Sequence, residues 1–340
     1  MVYDDALNLQ IAEEHGVRYV LEGSIRKAED DIRITAQLID ALTGHHVWAE
    51  RYDRNLNEIF AVQDDITKNI ITAMQVELTE GEQARAIAKG TNNLEAYLKY
   101  LQAVEQKSQY NVESNALAKQ LAREAITLDP EYAMAYRALA SSYQLDVWLG
   151  TSKSPKQTLA KCEELLQKAI SLDETNAEIH GGLAWIYAME GKHDRAVATA
   201  EHAVMLNPNC ASAYATLGQA LRFSGRWKES IPEYKKAIRL NPIPPPYYFW
   251  GLGMAYSRLG QHEEAINWCK RAEQKAPDSF LSHLYIVEVY SRAGMDAEAR
   301  SHAAEVLRLN SRFSLEKFAK KLKGAGKEEL IETWRRAGLK

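Results

Sequence analysis

The sequence predicts a mainly α-helical protein: a right-handed superhelix of about six stacked helix pairs with a C-terminal cap, preceded by a small α/β module with an antiparallel sheet. Three observations predict it. Pro208, Pro242 and Pro277 stand 34 and 35 residues apart, and Leu206-Asn207-Pro208 echoes Leu240-Asn241-Pro242. Gly191, Gly225, Gly260 and Gly294 recur at intervals of 34, 35 and 34, each midway between two helical patterns. Part of the first 90 residues alternates apolar and polar side chains at period two instead.

Each repeat follows from its residue types. The glycine suits a tight turn between antiparallel helices, where positive φ is often needed. The proline closes the unit because it cannot continue the second helix. On the first helix, large residues three, four and seven apart form an apolar stripe: His180, Leu183, Ala184, Tyr187; Tyr214, Leu217, Gly218, Leu221; Phe249, Leu252, Gly253, Tyr256; His283, Ile286, Val287, Tyr290. On the second helix, small residues such as Ala196, Ala200 and Ala203, or Ala265, Cys269 and Ala272, allow close approach. Two earlier units, begun by Tyr97 and Tyr136, carry extra residues between helices. The insertion around Asp146–Pro155 is expected to lengthen the first helix or form a longer loop. Six pairs are thus expected over 93–311, then short helices at Leu315–Leu322 and Glu328–Ala337 split by Gly324-Ala325-Gly326, as a cap on the last pair.

The N-terminal stretch differs in kind. Asp5–Glu14 reads as a short helix ended by Gly16. Val17–Arg26, Asp31–Asp40 and His46–Asp53 read as strands, the last two joined through Thr43-Gly44. Asn57–Leu78 then has Ile59, Phe60, Val62, Ile66, Ile70, Met74 and Leu78 at helical spacing. Boundaries are placed at 1–90, 91–311 and 312–340.

The repeat signature resembles the tetratricopeptide repeat (TPR), W-x2-L-G-x2-Y…A-x3-F…P. The phrases Ile11–Arg26, Arg33-Ile-Thr-Ala-Gln-Leu-Ile-Asp40, Trp48-Ala-Glu-Arg-Tyr-Asp53 and Ile59-Phe-Ala-Val-Gln-Asp64 resemble the TolB-like module that precedes TPR arrays in bacterial signalling proteins. Many of those are class III adenylate/guanylate cyclases, and others are transcription regulators with a winged-helix domain. The ending Trp334-Arg-Arg-Ala-Gly-Leu339 is also similar to theirs. The family module normally opens with a further strand and helix, so the resemblance implies a fragment or a shortened gene. No cyclase residue is carried over, because none is present.

Composition narrows the function. A formal charge of −4 gives no global reason to expect nucleic acid or an anionic membrane as partner. Residues 301–340 hold ten Lys/Arg against five Glu, which reads as solvated helix faces. Cys162, Cys210 and Cys269 show no zinc or C-x-x-C spacing, so a reduced, cytoplasmic setting is expected. The uncharged stretch Asn241–Ser257 contains four prolines and cannot be a continuous membrane helix. Nothing reads as a catalytic, cofactor or metal site. His180 and His283 lead apolar stripes and are expected to pack, Gly251-Leu-Gly253 falls inside a helix, and Gly324-Ala-Gly-Lys327 lacks phosphate-loop spacing.

What remains is the concave surface. First-helix residues outside the core stripe are Arg137, Trp185, Gln219, Arg222, Phe223, Trp250, Met254, Arg258, Glu288 and Arg292. Aromatic and Arg side chains are the types that dominate binding hot spots. A protein or peptide ligand is therefore expected in this groove, and the Lys/Asn set of carboxylate-clamp TPRs is absent. The expected function is a non-catalytic interaction scaffold, a regulatory part of a bacterial signalling system. The alternatives are the regulatory part of a cyclase or the sensory half of a transcription regulator. A module lacking its opening strand would leave a sheet edge, and a homodimer through 17–53 is expected from it.

Overall fold

Ile32, Ile34, Ala36 and Leu38 alternate with their neighbours, and all four are buried on one face of a strand. The structure is a computed structural model; it describes residues 19–40, 45–73, 90–241, 244–311, 313–320 and 324–340. The chain divides into two units, Met1–Leu94 and Glu95–Lys340.

In the first unit, β1 (Tyr19–Ala28), β2 (Asp31–Asp40) and β3 (His45–Asn55) form an antiparallel sheet in the order β1-β2-β3. The β1–β2 turn takes its positive φ at Glu29 (54°). A bulge at Leu38/Ile39 leaves Val47 as the extra residue of β3. Helix α1 (Ile59–Ala73) lays Val62, Ile59 and Ile66 over Ile32, Ile34 and Tyr52. The Asn69 amide donates to the Tyr52 hydroxyl at 2.9 Å, tying the helix to β3. Leu21 and Ile25 of β1 stay exposed. The expected helix Asp5–Glu14, the turn Thr43-Gly44 and the continuation of the long helix to Leu78 lie outside the described residues.

The second unit holds six helix pairs: α2 (Leu94–Lys107) and α3 (Val112–Leu128); α4 (Ala133–Leu149) and α5 (Pro155–Leu172); α6 (Ala177–Glu190) and α7 (His193–Leu206); α8 (Ala211–Phe223) and α9 (Trp227–Leu240); α10 (Pro246–Arg258) and α11 (His262–Lys275); α12 (Phe280–Arg292) and α13 (Asp296–Leu309). They stack in a superhelical arrangement. Gly191, Gly225, Gly260 and Gly294 take φ of 75–82° between partners, as their spacing predicts. In the first pair Tyr110 takes that role at φ 51°, a conformation uncommon for a residue with a side chain. The extra residues of the second pair lengthen both its helices, to 17 and 18 residues against 14 and 14 in the third. Asp146 stabilises the loop after α4, accepting from Thr151 (2.8 Å) and from Asn115 of α3 (2.9 Å). Small residues set the helix spacing: a Cβ on Gly253 would lie 2.7 Å from the Cys269 sulfur. Cys162 and Cys269 are buried packing residues, and burial pushes the Cys162 thiol up to about 12.

The successive first helices α4, α6, α8, α10 and α12 pack on one another, so they line the inner side. The tail covers the last pair, as expected of a cap, and also turns onto the inner surface. After α14 (Leu315–Ala319) and a turn at 324–326, α15 (Lys327–Arg336) packs on the inner helix α12. Apolar surface there, not only the exposed end of the last pair, draws the tail inward. Trp334 is buried against Tyr285 and Phe318.

Candidate functional site

The inner surface is divided between an open cavity and the chain's own tail. The cavity has a volume of about 190 Å³, and each of the five inner helices contributes to it, together with Lys107 at the end of α2 and Tyr110 in the turn after it. Its aromatic walls are Trp148 from α4, Trp185 from α6, Tyr247 and Trp250 from α10, and Tyr285 from α12. The rings brace each other. Trp148 and Trp185 stack with centroids 5.9 Å apart, and Trp250 and Tyr285 stack at 4.3 Å. Tyr110, from the strained first turn, lies with this aromatic group although it is far away in the chain.

Eight polar or charged side chains share the lining. Arg137 is bound to one neighbour: its guanidinium lies 2.8 Å from the Glu178 carboxylate and donates to the Glu178 carbonyl at 3.2 Å. Lys107 reaches the same cavity. Burial, then the nearby charge of Arg137, pulls its ammonium down to about 8, with Glu178 acting the other way. Gln144, Gln219, Ser212 and Thr216 add neutral hydrogen-bonding groups. Such a lining, six aromatic rings with eight polar or charged side chains between them, suits recognition and offers no nucleophile paired with a base.

Four of the ten sequence-expected groove residues, Arg137, Trp185, Gln219 and Trp250, line this cavity. The other six do not. Phe223 and Arg222 are buried at the end of α8, where Gly324 approaches and the Ala325 amide donates to the Phe223 carbonyl at 2.9 Å. Arg222 lies over the rings of Phe223, Trp250 and Tyr285, with Met254 buried beside it. Arg258, Glu288 and Arg292 form a charge cluster that the tail closes. Arg258 lies 2.6 Å from Glu288 and 2.7 Å from Glu329, and donates to the Gly326 carbonyl; Arg292 also binds Glu329. The expectation of ten open groove residues is therefore corrected: the apolar and cationic lining of α8, α10 and α12 is covered by the tail, through Glu329 on Arg258 and Arg292 and through Trp334 on Tyr285.

Sequence reasoning missed Trp148, Tyr247, Lys107, Tyr110 and Glu178. Trp148 stands in the lengthened last turn of α4, in helical register with Ser141, Gln144 and Leu145, so extending the stripe through the insertion would have found it. Tyr247 follows Pro246, the N-terminal residue of α10. Tyr110 carries no such signal. His180 and His283 pack as expected, each with Nε2 on a carbonyl six residues earlier, Glu174 (2.8 Å) and Pro277 (2.7 Å).

Stacked helix pairs of this period, closed by glycine turns and small-residue contacts, match known repeats directly. Two models of the tetratricopeptide repeat match residues 159–221 and 215–280. These residues carry TPR repeats. Over 194 residues, or 57% of the chain, the sequence is 38% identical to "Putative adenylate cyclase 3" of Rhizobium meliloti. Over 79 residues, or 23% of the chain, it is 33% identical to small glutamine-rich tetratricopeptide repeat-containing protein 2 of Mycosarcoma maydis. The chain spans about a third of the first relative (32%) and less of the second (22%). Among solved structures, the hetero-tetramer Cut9–Hcn1 of the APC/C aligns over 81% of the chain and 52% of that chain, with a TM-score of 0.50 at 16% identity. That likeness is one of fold. The TPR fold supports a scaffold for protein–protein interaction. No described helix is long and apolar enough to cross a membrane.

Proposed function

We propose that this TPR array is a non-catalytic scaffold that captures a peptide or protein segment by one aromatic or aliphatic anchor in the inner cavity. One observation carries the reading: the five inner helices and the end of α2 converge on a single aromatic-walled space of about 190 Å³. That is smaller than the usual small-molecule pocket of about 300–1,000 Å³, and suits a side chain better than a cofactor. An acidic residue beside the anchor would pair with Lys107 and Arg137. The test is selection from a displayed random peptide library, followed by photo-crosslinking from a benzophenone residue at Gln144. Acidic-aromatic peptides that crosslink there support the reading. Selected peptides that bind and crosslink only from the outer-helix position Arg271 would refute it.

The 38% identity to a protein named as an adenylate cyclase favours one elaboration. In it, the array and its TolB-like module regulate a nucleotidyl cyclase in a bacterial, cytoplasmic signalling system. The gene sequence immediately upstream tests this: a class III cyclase domain supports it, and a winged-helix domain or a stop codon contradicts it. The chain alone is expected to form no cyclic nucleotide from ATP or GTP with divalent metal. The N-terminal module enters the proposal as a self-association surface. Among the described residues β1 pairs only with β2, and Leu21 and Ile25 are exposed. A solution mass that stays monomeric at high concentration would remove that part.

A further inference from the structure

We propose that Glu273, His283 and His302 form a binding site for a divalent transition-metal ion of the zinc class. The site lies in the last two helix pairs, apart from the cavity. His283 projects from α12, His302 from α13 and Glu273 from the last turn of α11. One ligand atom from each lies within 4.8 Å of the other two. The Nδ1 atoms of the histidines are 2.8 Å apart, and His302 Nδ1 is 3.9 Å from the Glu273 carboxylate.

The ring orientations give this group its meaning. His283 is buried, and its Nε2 lies 2.7 Å from the Pro277 carbonyl, which can only accept a hydrogen bond. The proton of neutral His283 is therefore on Nε2, and a lone pair on Nδ1 points at His302. A ring nitrogen held by a main-chain carbonyl, with its opposite nitrogen presented, is the usual arrangement of a metal-binding histidine. His302 is held as well, since Tyr290 stacks on its ring at 5.2 Å and 13°. Without metal, His302 Nδ1–H donates to His283 Nδ1. With metal, neutral His302 moves its proton from Nδ1 to Nε2 through solvent, and both Nδ1 lone pairs face the ion with no net proton released.

Zn–N bonds of about 2.0–2.1 Å at the tetrahedral angle place two ligand nitrogens about 3.3 Å apart, so the nitrogens must part by about half an ångström. The rings, which meet head-on with centroids 5.1 Å apart, must each turn in plane until both lone pairs point at the ion. Two imidazoles and a carboxylate suit zinc, nickel or copper rather than magnesium or calcium. Glu273 is partly exposed, which leaves the remaining coordination to water. An internal contrast comes from the third pair. His180 has the same carbonyl tie and meets His202 edge-on at 4.9 Å, yet the only such cluster among the described residues is the one at Glu273. The carbonyl tie is thus a feature of the repeat, and the convergence of three ligands is particular to this place.

The experiment is calorimetric titration of the chelator-stripped full chain with Zn²⁺, and with Mg²⁺ in parallel, followed by Co²⁺ absorption spectra. One equivalent of Zn²⁺ is expected at this site, no matching Mg²⁺ binding, and cobalt d–d bands of a histidine-bound centre. His302→Ala should weaken Zn²⁺ binding at least about 100-fold, more than the 10–100-fold typical of losing an outer partner. Glu273→Gln should weaken it about tenfold, and His180→Ala should leave it unchanged. Circular dichroism confirms that each variant is folded. A folded wild-type chain that binds no Zn²⁺, or binding that His302→Ala leaves unchanged, overturns the proposal.

Discussion

The indole N–H of Trp334 donates a hydrogen bond of 2.8 Å to the main-chain carbonyl of Leu284, fifty residues earlier in the chain. Leu284 lies within α12, so that carbonyl is already the acceptor type a helix uses internally. The bond, with Tyr285 and Phe318 packed around the ring, fixes α15 on the inner helices and not beyond them. The tail therefore both covers the last pair and decides how much of the inner surface stays open.

Removing that anchor should be costly. Trp334 is fully buried, and a buried Trp→Ala change typically costs about 3–5 kcal/mol. Trp334→Ala should lower the urea midpoint accordingly and increase hydrogen exchange at the Ala325 amide, which bonds to Phe223. Trp334→Phe keeps most of the packing and should lose only about 1–2 kcal/mol.

The charge cluster makes the tail contact pH-dependent, with opposite signs at its two carboxylates. The hydrogen bond from Arg292 foremost, with the charges of Arg292 and Arg258, holds Glu329 below the ordinary 4.5, against a smaller opposing effect of burial. Its contribution is full above the unfolded value and lost as pH falls through the lowered one. Burial pushes Glu288 up, with Arg258 and Arg292 opposing, so its ionisation weakens the fold as pH rises from 4.5 through its raised value. Urea midpoints measured between about pH 3 and 6 should show a smaller acid-side loss in Glu329→Gln than in wild type. In Glu288→Gln the loss with rising pH should disappear.

Lys107 reports on the cavity itself. Its pKa of about 8, set by burial and then by Arg137, should be visible by NMR titration of the labelled side chain. This group alone makes stability rise as pH climbs from about 8 toward 10.5, because the unfolded chain then binds the proton more tightly. Arg137→Gln should raise the value only part of the way, since burial is the larger cause.

Glycine substitutions separate packing from helix propensity. Ala is favoured over Gly in a helix by about 0.5–1 kcal/mol. At Gly253 the new Cβ would meet the Cys269 sulfur at 2.7 Å and the Ala265 carbonyl at 3.0 Å. Overpacking costs about 1–3 kcal/mol, so Gly253→Ala should destabilise. At Gly181 the nearest atom is the Thr216 hydroxyl at an ordinary 3.4 Å, and Gly181→Ala should be neutral or stabilising; thermal melts of the two variants check both outcomes.

The fold was legible because the repeat is written in local terms. A Pro at the end of four of the six units (Pro130, Pro208, Pro242 and Pro277), a Gly at φ near 80° in the last four pairs and small residues such as Ala265 and Cys269 are one-residue signals of backbone and packing demands. Tyr110 shows the limit, since nothing local marks it for positive φ; its place follows from the aromatic group it joins in the fold. Inner-helix positions gave Arg137, Trp185, Gln219 and Trp250, because helical spacing alone fixes which face they share. Covering of Arg222, Phe223 and Arg258 was not legible, because it depends on contacts such as Arg258–Glu329, 71 residues apart. His302 was overlooked for a similar reason: its partner His283 lies on the preceding helix, 19 residues away.

The most direct test of the cavity as a recognition site is calorimetry with one selected acidic-aromatic peptide against wild type, Trp185→Ala and Arg137→Gln. Loss of a hot-spot side chain typically costs at least about 2 kcal/mol, or about 30-fold in Kd. The expected result is that Trp185→Ala weakens binding by at least that factor and Arg137→Gln weakens it when the peptide's acidic residue is present, with helical content unchanged. Equal Kd values for wild type and both variants would contradict the assignment of the cavity as the binding site.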